Sequence, residues 1–214
     1  MSSIENISFI ETLQIIDGHF TNPIPHIQRI RTTLAEIGTS NPILPTFSDT
    51  LIPEDKRKGN VKCRYLYNIH KGEIEFADYT PRQIHTLQLI EGNHVDYHLK
   101  YADRQVLNNL RAQRGTCDDI LIIKNGEITD TSYSNVVLFD GSRYIIPRAY
   151  LLNGTRRRQL LANGTATEAR ITPDDLHNFQ CLYLINAMLD IKNNICVEVK
   201  NINKYAKLSP KVTP

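Results

Sequence analysis

The chain has 214 residues, 41% of them hydrophobic and 22% charged, with a formal net charge of +2. That length buries a sizeable core in one large domain or two small ones, and the near-neutral balance gives no reason to invoke nucleic acid or an anionic membrane as a partner. No apolar run approaches the ~18 residues of a spanning helix, and the opening MSSIENISFIETL lacks the layout of a signal peptide.

Cys63, Cys117, Cys181 and Cys196 are widely spaced and form no CxxC pair, and the histidines show no HExxH spacing. Free thiols in a reducing cytoplasm and no bound metal are therefore expected.

In chain order, SFIETLQIID reads as a strand closed by a turn at Asp17-Gly18. NPIPHIQRIRTTLAEIG reads as a helix, with Asn22 as its cap, prolines in the first turn and Gly38 at its end. Its apolar stripe is Ile24, Ile27, Ile30, Leu34 and Ile37. Residues 39–60 read as loop or short helix. Three strands follow in VKCRYLYN, EIEFADY and IHTLQLI, then a helix from about Asp103 to Gly115.

Asn125-Gly126 and Asp140-Gly141 each separate two apolar runs, which is a hairpin signal. NGTRRRQLLANG reads as a short helix, TPDDL as a capped helical turn, and CLYLINAM and ICVEV as strands. Strands and helices mix without strict βαβ alternation, so the expected class is α+β in two lobes, residues 1–97 and 98–214.

Four segments then stand in register: PHIQRIR, LKYADR, GEITDTSYSNVVLF and LLNGTRRRQLL. Together they resemble the class IV (fold-type IV) pyridoxal-phosphate family of branched-chain and D-amino-acid transaminases and 4-amino-4-deoxychorismate lyase, from about Phe9 to about Met188. The resemblance implies a two-lobed, D-amino-acid-aminotransferase-like fold with a shortened N-terminal lobe. It also implies pyridoxal 5'-phosphate as cofactor, a small-molecule amino substrate and a homodimer.

Residue by residue, the resemblance makes Lys100 the lysine that holds the cofactor covalently and acts in catalysis. Arg29, in the H-x-x-R pattern with His26, matches the phosphate clamp, a job that suits a forked guanidinium. Gly154, Thr155 and Arg156 match the turn whose amides hold phosphate at a helix start, and Asn186 and Ala187 the loop closing the phosphate cup. Asn135 matches a family asparagine of more structural character. Asp130 stands where the family has a glutamate facing the pyridine nitrogen, about 1.5 Å shorter in reach. Taken singly, each of these has a plainer reading as a solvated charge, an ordinary turn or a helix start.

The reaction is less constrained. The family's opening tyrosine-bearing segment is not matched, and Gln14 replaces a frequent arginine, both of which weaken a standard transaminase reading. LKYADR is closer to the lyases' LK-x-x-N-R-x-x-x-L, with Asp103 for the asparagine. The leading expectation is thus a lyase making 4-aminobenzoate and pyruvate from 4-amino-4-deoxychorismate. The alternatives are a class IV transaminase of branched-chain or D-amino acids and a non-catalytic relative. Thr12, Arg64 and Arg104 are the expected substrate contacts.

Overall fold

The computed structural model describes residues 7–39, 42 and 44–203. Alternation of apolar and polar side chains builds its first sheet. Strands β1 (Phe9–Ile16), β2 (His19–Phe20), β3 (Asn60–Tyr67) and β4 (Gly72–Asp78) pair antiparallel in the order β2-β1-β3-β4. The register sets Thr12 opposite Arg64 and Gln14 opposite Lys62. A period of two sends Phe9, Leu13, Ile15, Val61, Cys63, Tyr65 and Tyr67 into a core shared with Ile30 and Leu34 of helix α1 (Ile24–Glu36). It leaves Ile10, Thr12, Lys62 and Arg64 on the opposite, half-buried face.

Helix α1 lies where expected, but its start differs and the first residue of its expected apolar stripe is exposed. Pro23 already has helical angles (φ −74°, ψ −31°) and its carbonyl accepts from the His26 and Ile27 N–H groups, so Asn22 does not cap it. Ile24 is 64% exposed. Ile30 and Leu34 of the expected stripe are buried and Ile27 and Ile37 pack against the same core, while His26 and Thr33 add two polar residues to the buried face, which a purely apolar reading misses. The end is as expected: Gly38 takes φ +89°, donating its N–H to Ala35 while Thr39 donates to Leu34.

A buried charge pins this helix to the sheet. Glu11, with no exposed surface, accepts Arg29 Nε at 2.7 Å and Nη2 at 2.5 Å, and His26 Nδ1 at 2.6 Å. Burial alone would raise the Glu11 pKa, but Arg29 and then His26 outweigh it and hold it at about 2.

The second sheet has nine strands: β5 (Leu87–Glu91), β6 (Asp119–Lys124), β7 (Glu127–Thr131), β8 (Asn135–Phe139), β9 (Tyr144–Pro147), β10 (Ala166–Ala169), β11 (Cys181–Ile185), β12 (Cys196–Glu198) and β13 (Ile202–Asn203). The path runs β10-β9-β8-β7-β6-β5-β13, with β11 on β8 and β12 on β11. β6 is a continuous apolar run because both its faces are covered. Ile120 and Ile122 pack with Leu107 and Leu110 of helix α2 (Gln105–Arg111), while Leu121 and Ile123 face the main core with Leu87, Leu89 and Leu138.

The Asn125-Gly126 hairpin is as read, with φ of +52° and +76°. At Asp140-Gly141 the connection is wider, four residues from Asp140 to Arg143, and the Asp140 carboxylate accepts the Ser142 and Arg143 N–H groups. The strand expected from residue 84 begins at Leu87, and β10 was not anticipated, since ATEA carries no apolar alternation. Helix α3 (Thr155–Ala162) and the Thr172–Asp175 capping box match expectation.

The chain changes sheets between Asp78 and Leu87, and β5 pairs with β6, so the expected division at 97/98 is not where the sheets part. Instead residues 97–101 return to the first sheet: Phe9 bridges Tyr101, and Ile10 donates to the Lys100 carbonyl at 2.9 Å. Lys100 therefore rides on a strap tied to β1. No helix among the described residues is long and apolar enough to cross a membrane.

Replacing Glu11 by glutamine should destabilise the protein by about 3–5 kcal/mol, because it leaves the Arg29 charge without its buried partner. Glu11 is depressed in the fold, so its stabilisation is present above its ordinary pKa of 4.5 and is lost as pH falls toward about 2. Urea unfolding from pH 7 to pH 3 checks both, and equal acid sensitivity in wild type and Glu11→Gln would refute the assignment.

Candidate active site

Between the half-buried face of the first sheet, the strap and the loops of the second sheet lies a cavity of about 400 Å³. β1 contributes Thr12, β3 contributes Arg64, the strap contributes Lys100, and the N-cap position of α2 contributes Arg104. From the second sheet come Asp130 at the end of β7, Asn135 at the start of β8, and Asn186 and Ala187 beyond β11. Helix α1 adds Arg29, and the start of α3 adds Gly154 and Thr155. Residues far apart in sequence thus meet at one cavity.

Arg156 is the exception. Its guanidinium turns to Asp190 at 3.0 Å and Gln159 at 2.8 Å, away from this cavity. A side chain at the second position of a helix points along the helix flank.

Lys100 is half-buried at the cavity wall, and no hydrogen bond to its amine is made among the described residues. Burial first, then the Arg29 charge, lower its pKa to about 8. A lysine so placed sheds its proton far more readily than a solvated one.

Asp130 is buried, and burial raises its pKa to about 6 against the pull of its hydrogen bonds. Its Oδ1 accepts Asn135 Nδ2 at 2.5 Å, and its Oδ2 accepts the Leu151 and Leu152 N–H groups at 2.6 and 3.1 Å. Asn135 also donates to the Leu152 carbonyl at 2.8 Å, so it acts as a brace for the carboxylate.

The phosphate-type features cluster at α3. Gly154 is the N-cap, and a Cβ there would stand 2.1 Å from Asn135 Oδ1, so only glycine lets this backbone approach so closely. His26, whose pKa burial lowers against the pull of Glu11, donates from Nδ1 to Glu11, and its Nε2 stands 3.4 Å from the Thr155 hydroxyl. The Glu11–Arg29–His26 group thereby couples α1 to α3. Glu11 sits within the SFIETLQIID strand with no local mark of its role, because the partners that make a buried glutamate favourable lie on another element.

Other cavity residues went unremarked in sequence: Lys62, Tyr79, Tyr97 and Tyr133. Lys62 had a usable signal, since period-two spacing sets it on the same face as Arg64. Arg64 itself is tied to Glu75 at 2.9 Å, and Arg104 donates from Nη2 to the Ser132 carbonyl at 2.5 Å while its buried Nε lacks a partner.

These residues fit pyridoxal phosphate. An unpartnered amine of lowered pKa, a buried carboxylate and a guanidinium beside a glycine-opened helix start match its aldehyde, its ring nitrogen and its phosphate in chemistry.

The comparisons agree with the geometry. Residues 8–192 match the amino-transferase class IV family. An uncharacterized protein of Haemophilus influenzae is 36% identical over 180 residues, spanning 83% of this chain and 96% of its own length. A crystal structure of a candidate 4-amino-4-deoxychorismate lyase from Haemophilus somnus superposes with a TM-score of 0.78 at 31% identity, over 86% of this chain and 97% of that one. A candidate amino-acid aminotransferase from Mesorhizobium loti shares the fold at 22% identity, with a TM-score of 0.72 over 94% of this chain and all (100%) of that one. With most of its length matched and its cavity carrying the expected chemistry, the chain belongs to the class IV aminotransferase family and is a pyridoxal-phosphate-dependent enzyme of lyase or aminotransferase type.

Proposed function

We propose that the protein is a lyase converting 4-amino-4-deoxychorismate to 4-aminobenzoate and pyruvate, a step of folate biosynthesis, and that it works as a cytoplasmic homodimer. The observation that carries the reading is the unpartnered Lys100 amine of lowered pKa, facing a cavity that also holds Arg104 and Asp130. Likeness to the H. somnus candidate lyase favours this reaction over transamination. Free cysteines throughout the described residues accord with a reducing compartment.

In this reading Arg29 and the amides opening α3 hold the cofactor phosphate, and Lys100 anchors the cofactor. Bound pyridoxal phosphate supplies an electron sink for the negative charge left when a carbon–hydrogen bond is broken. Asp130, fixed by Asn135 and two backbone amides, keeps a negative charge at the ring-nitrogen end. Arg104, with its unpartnered Nε, binds a substrate carboxylate, and Thr12 and Arg64 line the same wall.

The Lys100 amine would take the proton from the amine-bearing carbon and return one to the departing enolpyruvyl group. Loss of that group leaves an aromatic ring, which makes the step strongly downhill.

The wild-type enzyme should release pyruvate and 4-aminobenzoate in equal amounts with no added keto acid. Turnover that appears only when an amino acid and a keto acid are supplied together would replace this reading with transamination.

Because a neutral amine is the reactive form, loading of apoprotein with pyridoxal phosphate should quicken as pH rises through about 8. Borohydride should then fix the cofactor to Lys100, and a labelled peptide lacking Lys100 would overturn its assignment. Asp130→Asn should keep the cofactor but lower kcat by about 10²–10³, the range for losing one preorganised electrostatic partner. Equal loss of cofactor binding and kcat would instead make Asp130 a structural brace.

A further inference from the structure

The charges lining the cavity are unbalanced. Arg29, Lys62, Arg64, Lys100 and Arg104 line it, against the single carboxylate of Asp130. Three of those cations are engaged: Arg29 by Glu11, Arg64 by Glu75 and Arg104 by the Ser132 carbonyl. Lys100 is spoken for by the chemistry.

Lys62 remains. Its ammonium makes no hydrogen bond or ion pair among the described residues, and its cross-strand neighbours, Gln14 on β1 and Ala77 on β4, are uncharged. It is half-buried on the cavity face of β3, two residues from Arg64, while Val61 and Cys63 on either side of it face the core. A half-buried cation without a counter-ion is unfavourable in the empty site and becomes favourable when an anion arrives.

The cofactor phosphate accounts for Arg29, and one substrate carboxylate for Arg104. An amino acid with a single carboxylate would leave Lys62 bare. We infer that Lys62 is a specificity-determining residue that binds a second carboxylate, so that the site selects dicarboxylate amines over monocarboxylate ones. The inference rests on the proposed function for the site, and 4-amino-4-deoxychorismate, with a ring carboxylate and an enolpyruvyl carboxylate, has the required chemistry.

The test uses the cofactor-loaded full chain and two probes, isophthalate and benzoate, which differ by one carboxylate. Binding is followed by calorimetry for wild type, Lys62→Gln and Lys62→Arg. Wild type should bind isophthalate at least about tenfold more tightly than benzoate, the worth of one charge-assisted hydrogen bond. Lys62→Gln should bring that ratio near one with cofactor affinity unchanged, and Lys62→Arg should restore it.

With 4-amino-4-deoxychorismate, Lys62→Gln should raise KM about tenfold and leave kcat within about twofold. An unchanged isophthalate-to-benzoate ratio in Lys62→Gln overturns the inference, as does a loss of cofactor affinity, which would place Lys62 at the phosphate. If wild type forms no 4-aminobenzoate yet loses its isophthalate preference on Lys62→Gln, the lyase reading falls and the inference stands. If 4-aminobenzoate forms and the ratio does not move, the inference falls alone.

Discussion

A carboxylate with no exposed surface, Glu11, organises the site. Taking a charge out of water is unfavourable unless it is closely partnered, and Glu11 is held by both arms of Arg29 and by His26. Three consequences follow. Helix α1 is fixed on the first sheet by a directional contact rather than by apolar packing alone. Arg29 is oriented at the cavity edge rather than free to reach solvent. Through His26 and the Thr155 hydroxyl, the same carboxylate reaches the first residue of α3, so both phosphate-type elements share one anchor.

Charge then tunes the two groups that matter for chemistry. Lys100 and Asp130 have ordinary pKa values far apart, and the cavity draws them together, to about 8 and about 6. Burial is the first cause in both, because it disfavours whichever form is charged. For Lys100 the nearby Arg29 adds to burial, while Glu11 opposes it.

How much of this was written locally in the chain varies with the physics of each feature. Strands β1 and β3 announce themselves because one face is core and the other is not, and the Asn125-Gly126 turn does so because type I′ geometry demands positive φ. The short motifs around Arg29, Lys100, Asp130 and Gly154 were legible only as a set. Features that depend on tertiary pairing were not. Asn22 looks like a helix cap until Pro23 is seen to be helical already. ATEA becomes β10 only because β9 offers it an edge. Arg156 carries the right residue name, but the helix flank aims it at Asp190. The sheet-changing segment before β5 has no compositional mark.

The substitution of aspartate for a longer carboxylate at position 130 finds its physical account in the same surroundings. A shorter side chain reaches less far, and a misplaced carboxylate would lose most of its electrostatic effect, which falls with distance and with solvent access. Here the carboxylate is held in place from both of its oxygens. The Leu151 and Leu152 amides clamp one oxygen, and Asn135 clamps the other while bonded to the Leu152 carbonyl, so the carboxylate and the 151–152 loop form one rigid unit. Each carboxylate oxygen can accept about two hydrogen bonds, which leaves Oδ1 with one acceptor site open. Gly154 lies against the same Asn135, so the loop that braces the carboxylate also sets the start of α3. Lengthening residue 130 would therefore disturb more than its own reach: it would press on Asn135, and through Asn135 on the one glycine-dependent approach in the cavity.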